Sequence, residues 1–327
     1  MLLVACSGGD SGDDDATGGA DASTQPPAEK YEIAWGPITV PSGTENVQCV
    51  NVRLGNDVPV KIRQITNALG NASHHFIVYK TNETEEYSTP RNCNSIESLV
   101  NAETGVPLMI TQKAEETLTL PDGVAFELEA NQMIKLELHY INASDTPQQL
   151  RVDSTFVPMA EADFEFAADF MFMGNPDIEI GPGQSFTLGP SFFPMPWELL
   201  GAKIFGVTGH EHQWGTNVYV EVTDGVTSTP IYDLPNFNWD EPETVYYAPP
   251  IELPEAGGFR FTCEWENKSN RSVGFGEGVD DEMCFFWAYY YPSRGAITCF
   301  HSEQVGDTID ICCPGHQLCN LVDDFYN

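Results

Sequence analysis

An all-β protein built from two strand-rich blocks is what this sequence predicts, and three observations carry the prediction. Short runs of alternating polarity recur, such as Gln48-Cys49-Val50-Asn51-Val52-Arg53-Leu54 and Ile134-Lys135-Leu136-Glu137-Leu138-His139-Tyr140. On a strand, alternation sends successive side chains to opposite faces. Gly, Pro, Asn and Asp turns separate the runs. Amphipathic helix patterns are scarce, with one short turn expected at Ser95 to Asn101. Many short strands at this spacing read as β-sandwiches or jelly rolls.

Taken in order, residues 1–29 form a leader and tether. Leu3-Val4-Ala5-Cys6 resembles a bacterial lipobox, which makes Cys6 the expected lipidation site. The stretch before it is too short for a signal peptide and lacks a positive n-region, so the true start is expected upstream. Ser7 to Ala28 is rich in Gly, Ser, Asp and Thr and cannot bury enough apolar surface to fold. The first strand-rich block spans 30–158 and the second 159–302, with a join near Val157-Pro158-Met159 that no linker composition marks. A cysteine-rich tail, 303–327, follows. No repeat of fixed period is evident, and no apolar run approaches the ~20 residues that span a bilayer.

Hydrophobic residues make up 41% of the 327 and aromatics 11%, enough for substantial cores. The 49 acidic residues outnumber the 14 basic ones, for a net charge of −35. Such a surface repels nucleic acid and anionic lipid, whose phosphates need Lys and Arg clusters. A monomer in the bacterial cell envelope, on its periplasmic or cell-surface side, meeting the membrane only through its lipid anchor, is expected. Setting Cys6 aside leaves eight cysteines, an even set that reads as disulfides in an oxidising compartment. The alternative for the tail is a structural zinc site from Cys312, Cys313, His316 and Cys319, although the spacing is not standard. Asn-x-Ser/Thr triplets at Asn71, Asn82, Asn142, Asn267 and Asn270 matter as glycan sites only in a eukaryotic secretory pathway.

Five of the seven histidines fall into three clusters, His74-His75, His139 and His210-Glu211-His212, and Met283 lies downstream in Glu282-Met283-Cys284. On a strand, His210 and His212 point to one face and Glu211 to the other. This is not a zincin, whose histidines stand four apart on a helix; Trp214 occupies that position. A cupin wants a carboxylate shortly after His-x-His, where Thr216 and Asn217 stand instead. Adjacent His74 and His75 would face opposite ways on a regular strand, so sharing an ion requires a backbone turn or the use of different ring nitrogens. Alone, His139 reads as a core histidine and Met283 as core filler. Imidazole suits copper, zinc and iron, whereas a thioether favours Cu(I) over zinc. A three-histidine set beside a set of two histidines and a methionine therefore points to copper.

As an ordered set, these clusters resemble the copper type II, ascorbate-dependent monooxygenases, the family of peptidylglycine α-hydroxylating monooxygenase and dopamine β-monooxygenase. The matching segments are His74-His75, His139-Tyr140, His210-Glu211-His212 and Glu282-Met283-Cys284 with Tyr289-Tyr290, and the resemblance runs from about Cys49 to Cys299. It implies two tandem jelly-roll-like antiparallel β-sandwich domains of nine strands, one copper on each, facing a solvent-filled cleft. His74, His75 and His139 would bind the electron-transfer copper. His210, His212 and Met283 would bind the copper that activates O2 and would form the catalytic centre. An external reductant such as ascorbate would supply one electron to each copper for hydroxylation of a substrate C–H bond. A Cys263–Cys284 bridge is implied too; Cys49–Cys93 and a pairing of Cys299 with the tail are further expectations.

The departures from the family pattern concern the substrate. Thr208, Phe285 and Trp287 stand where the peptide-amidating enzyme holds a substrate carboxylate with arginine, asparagine and tyrosine. With no bidentate arginine, a peptidyl-glycine substrate is not expected. Phe285, Phe286 and Trp287 suggest an uncharged or apolar small molecule. Glu137 replaces a glutamine near the electron-transfer site. The alternative is a surface lipoprotein that binds or shuttles copper without catalysis.

Overall fold

The alternation at 48–54 and 134–140 becomes two adjacent strands, Thr44–Arg53 and Met133–Asn142, paired antiparallel with Val50 opposite Leu136. The computed structural model describes residues 28–100, 105–303 and 308–313. Cys6, most of the tether, His316 and Cys319 lie outside them. Among the described residues the protein is almost wholly β, as the sequence predicts. The short helix forms at Ser95–Val100, where the Asn94 side chain accepts the Glu97 backbone N–H at 2.8 Å as an N-terminal cap. No helix among the described residues is long and apolar enough to cross a membrane.

The first sandwich packs two sheets. One orders Tyr31–Val40, Gln148–Pro158, Val60–Leu69, Val124–Leu128 and Phe166–Ala167, with Glu115–Thr119 also on Val60–Leu69. The other orders Tyr87–Asn92, Thr44–Arg53, Met133–Asn142, Ser73–Thr81 and Val106–Thr111. The second sandwich has a sheet of Val245–Glu252, Lys203–His210, Phe285–Tyr291, Asp169–Gly174, Ile297–Ser302 and Ile309–Cys313. It faces a sheet of Ser185–Pro194, Gly258–Glu266, Gly215–Thr223 and Ser228–Asp233.

The sandwiches meet through apolar faces. Along Phe285–Tyr291, Phe286, Ala288 and Tyr290 enter the core of the second sandwich, while Phe285, Trp287 and Tyr289 join the core of the first. Phe170, Phe172, Phe205 and Phe300 follow Phe285 across, and Phe172 stacks on Phe285 at 4.8 Å. Burying an aromatic of this size stabilises by roughly 1.5–3 kcal/mol. Thr298 Oγ1 donates to the Leu99 carbonyl at 2.7 Å and Thr244 Oγ1 to Glu116 at 3.0 Å, both across the boundary. The strand Met133–Asn142 is buried on both faces: Leu136 and Leu138 toward its own core, and on the other side Lys135, Glu137 and His139, which meet Ser98, Tyr79 and Glu45.

Disulfides join Cys49 to Cys93, Cys263 to Cys284 and Cys299 to Cys312. Cys313 is disulfide-bonded as well. The zinc alternative for the tail is therefore corrected, since neither Cys312 nor Cys313 has a thiolate to offer a metal. Of the glycan triplets, Asn142 and Asn267 are buried, and each donates to three backbone carbonyls.

Candidate metal centre

The difficulty of two adjacent histidines is resolved by a β-bulge. Ser73 pairs with Tyr140 and His75 with His139, so His74 is the extra residue, preceded by Ala72 at φ 70°. A bulge sets two residues against one and re-aims the extra side chain. His74 thus turns back toward the face that His75 and His139 share. Ring centroids are 5.5 Å apart for His74–His75, 5.1 Å for His74–His139 and 4.8 Å for His75–His139. One nitrogen from each ring lies within 4.8 Å of the other two. Different nitrogens are available: His74 Nε2, His75 Nδ1 and His139 Nδ1 are buried without a hydrogen-bond partner. Buried polar atoms are rarely left unsatisfied, and three such lone pairs in one place suit a cation. The residues fit a metal ion.

Glu45 fixes the His139 tautomer. Its Oε1 accepts from His139 Nε2 at 2.9 Å, which leaves Nδ1 as the free lone pair, and also accepts the Val279 N–H at 3.2 Å. The His139 hydrogen bond holds the Glu45 carboxyl below its usual range. Asp240 lies 3.8 Å from His74 Nδ1, and the Trp239 ring is 5.9 Å from the His74 ring.

The second set is built differently. His210 ends the strand Lys203–His210, and His212 lies past that end, in a turn closed by Gly215 N–H to the His212 carbonyl at 2.9 Å. A strand carrying both histidines is therefore corrected to a strand end and a turn. The two rings still face each other, with centroids 5.1 Å apart. His212 Nδ1 donates to the Asp281 carbonyl at 3.1 Å, leaving Nε2 for a ligand. Glu282 accepts the His212 and Trp214 backbone N–H groups at 2.9 and 2.7 Å and Trp265 Nε1 at 2.8 Å. One carboxyl thereby joins the His212 turn to the segment carrying Met283. Burial pushes Glu282 up to about 7. Glu211 points away, as expected, and accepts the Glu264 N–H at 3.1 Å. Burial, then proximity to Glu282, raises its carboxyl well above the usual range.

His75, His210, His212 and Met283 line a single cavity of about 40 Å³, whose apolar walls include Phe172 and Trp287. That volume admits a few waters or a diatomic gas, far less than the roughly 300–1,000 Å³ of a typical ligand pocket. The solvent-filled cleft implied by the resemblance is here a narrow gap between apolar faces. Burial pushes His74 down to about 3 and His212 to about 4, with His75 and His210 well below 6.5. All four rings are thus neutral near pH 7, as metal ligation requires.

Of the three residues expected at the substrate, Trp287 lines the cavity. Thr208 instead hydrogen-bonds Thr244 at 2.9 Å, and Phe285 is fully buried against Phe172. Phe286 faces the other core. Sequence reasoning missed Glu45, Gln112 and Asp240, which no spacing marks. It passed over Glu282, whose place beside Met283 was the available signal.

A second sulfur–carboxylate group, Cys49, Cys93 and Glu137, is no metal site because its cysteines are bonded to each other. Glu137 is fully buried and accepts the Tyr79 hydroxyl at 3.2 Å.

Comparison with known proteins gives two results. Among solved structures, 81% of the chain overlays 98% of the major capsid protein P2 of bacteriophage PM2, at 10% identity and a TM-score of 0.37. It overlays PNGase F, a glycosylasparaginase from Flavobacterium meningosepticum, over 82% of this chain and 97% of that one, at 11% identity and a TM-score of 0.37. Likenesses this low carry no argument. Residues 192–309 match the model of the copper type II ascorbate-dependent monooxygenase C-terminal domain, a stretch that includes His210, His212 and Met283. That segment is similar to the C-terminal domain of the copper type II, ascorbate-dependent monooxygenase family.

Proposed function

We propose that the protein is a copper monooxygenase that hydroxylates a C–H bond of an uncharged, largely apolar substrate, using O2 and an external one-electron reductant. The observation that carries this reading is a cluster of three partnerless imidazole nitrogens, on His74, His75 and His139, of which His75 shares one cavity with His210, His212 and Met283. In this reading His74, His75 and His139 hold one copper and His210, His212 and Met283 the other. Bound there, copper supplies one-electron redox chemistry and O2 activation. The remaining work belongs to the chain. Neutral imidazoles keep their lone pairs available, Glu45 and the Asp281 carbonyl set two tautomers, and largely apolar walls leave room for few waters. Trp287 and Phe172 favour a substrate without charge, and among the described residues no arginine lines the cavity to grip a carboxylate. A substrate of more than a few heavy atoms requires the two sandwiches to part.

We also place the protein in the bacterial cell envelope, anchored through Cys6; the Leu3-Val4-Ala5-Cys6 motif and acidic tether support this. The test is oxygen consumption by chain loaded with two equivalents of copper, with ascorbate and other donors, across apolar candidate substrates. Turnover that depends on reductant and disappears in Met283→Ile is expected. Two tightly bound coppers with no oxygen use under any donor would replace it with the copper-binding lipoprotein reading.

A further inference from the structure

The boundary between the sandwiches runs through the metal centre, and polar groups cross it. Gln112 follows the strand Val106–Thr111 in the first sandwich, yet its side-chain nitrogen lies 3.2 Å from Nδ1 of His210 in the second. Gln112 is buried, lines the shared cavity, and its Oε1 has no partner. With the amide turned half a revolution, Oε1 accepts from Nδ1–H. That arrangement satisfies the lone oxygen and leaves His210 Nε2 as the ligand nitrogen. Glu45, also in the first sandwich, places one oxygen on both His139 Nε2 and the Val279 N–H, four residues before Met283.

We propose that Gln112 and Glu45 are positioning residues acting across the boundary: Gln112 orients His210, and Glu45 locks His139 to the loop that carries Met283. Each ligand set is then in register only when the sandwiches are closed on each other. The inference rests on the reading that these imidazoles hold copper, and it adds that closure and loading are coupled. A hydrogen-bonding partner behind a ligating histidine typically matters by 10–100-fold in metal affinity.

The experiment is Cu(I) titration against a chromogenic chelator on the full chain, with Cu–S scattering in X-ray absorption reporting the Met283 site. Gln112→Leu weakens the sulfur-containing site about 10–100-fold and spares the other, while Gln112→Glu, which keeps an acceptor, restores it. Glu45→Ala weakens the three-histidine site by a similar factor of about 10–100, and Glu45→Gln restores it. In metal-free protein, Glu45→Ala also speeds hydrogen exchange across 277–283. Thermal unfolding of each metal-free variant controls for folding. Wild-type affinity at the contacted site in either Gln112→Leu or Glu45→Ala overturns the proposal, as does weakening that the acceptor-keeping variants fail to rescue. A parent chain that binds no copper overturns the proposed function instead, and leaves the exchange at 277–283 to judge the Glu45 latch.

Discussion

The two candidate ligand sets are brought together by opposite means. His74, His75 and His139 sit on neighbouring strands, Ser73–Thr81 and Met133–Asn142, and a single bulge brings them together. Backbone pairing within one sheet supplies most of that order. His210, His212 and Met283 come from a strand end, a turn and a loop, which sheet pairing alone does not align. There the order comes from side chains: Glu282 with its three donors, the Asp281 carbonyl, and the Cys263–Cys284 bridge beside Met283. A nitrogen-only set can be written into a sheet. A set that includes a thioether from a distant loop needs long-range ties, and it is correspondingly easier to loosen.

That contrast can be broken most sharply at Met283. Met283→Ile removes the sulfur ligand with little change of volume, and turnover should fall by at least about 100-fold while the three-histidine site keeps its copper. Oxygen uptake together with loss of Cu–S scattering reads this out; retained turnover would end the oxygenase reading. Next, replacing both Cys263 and Cys284 by Ser should cost about 2–5 kcal/mol of stability by urea unfolding. The accompanying loss of copper affinity should appear at the Met283 site, and an equal loss at both sites would erase the distinction drawn above.

Acid should act on both sets. In metal-free protein His74 and His212 titrate near 3 and 4, below the 6.5 expected when unfolded. Their contribution to stability is therefore present above pH 6.5 and is lost as pH falls toward 4 and 3. By pH 5 the loss should be on the order of 2 kcal/mol for each ring. Urea midpoints at pH 7 and pH 5 measure it, and a flat profile would contradict the burial argument.

The smallest effect concerns the frame rather than the centre. Asn142 and Asn267 occupy matching corners: each accepts a hydroxyl from the serine two residues on, at 2.6 Å, and donates to the carbonyl four residues on. The flanking sheets match as well. Strands Tyr31–Val40 and Ser185–Pro194 each bulge at a Gly-Pro pair, where a Cβ on Gly36 or Gly189 would lie 2.5 Å from a carbonyl oxygen. Asn142→Ala and Asn267→Ala should each cost about 1–3 kcal/mol, with copper binding untouched. Unequal losses would show that the likeness of the two corners does not extend to their energetics.

Much of this was legible in the sequence. Alternating runs gave the strands because their period is set locally by the backbone. The sulfur downstream of three imidazole clusters pointed to copper because ligand softness is a property of residue type. The parts that escaped involve more than one segment. Nothing near Gln112 in the chain signals that it reaches His210, 98 residues on. Nor does the sequence near Met133–Asn142 signal that Lys135 reaches Ser98, Glu137 reaches Tyr79 and His139 reaches Glu45. Of the three residues expected at the substrate, Thr208 and Phe285 do not line the cavity, because Thr208 meets Thr244 and Phe285 stacks on Phe172.

Residue order alone therefore determined the β architecture and marked the candidate ligands and the likeness at 192–309, since periodicity and donor chemistry are local. Tertiary structure decided which nitrogens are free, how small the shared cavity is, and which groups span the boundary. Those depend on how two apolar sheet faces dock, a sum of many weak contacts that no short stretch of sequence encodes.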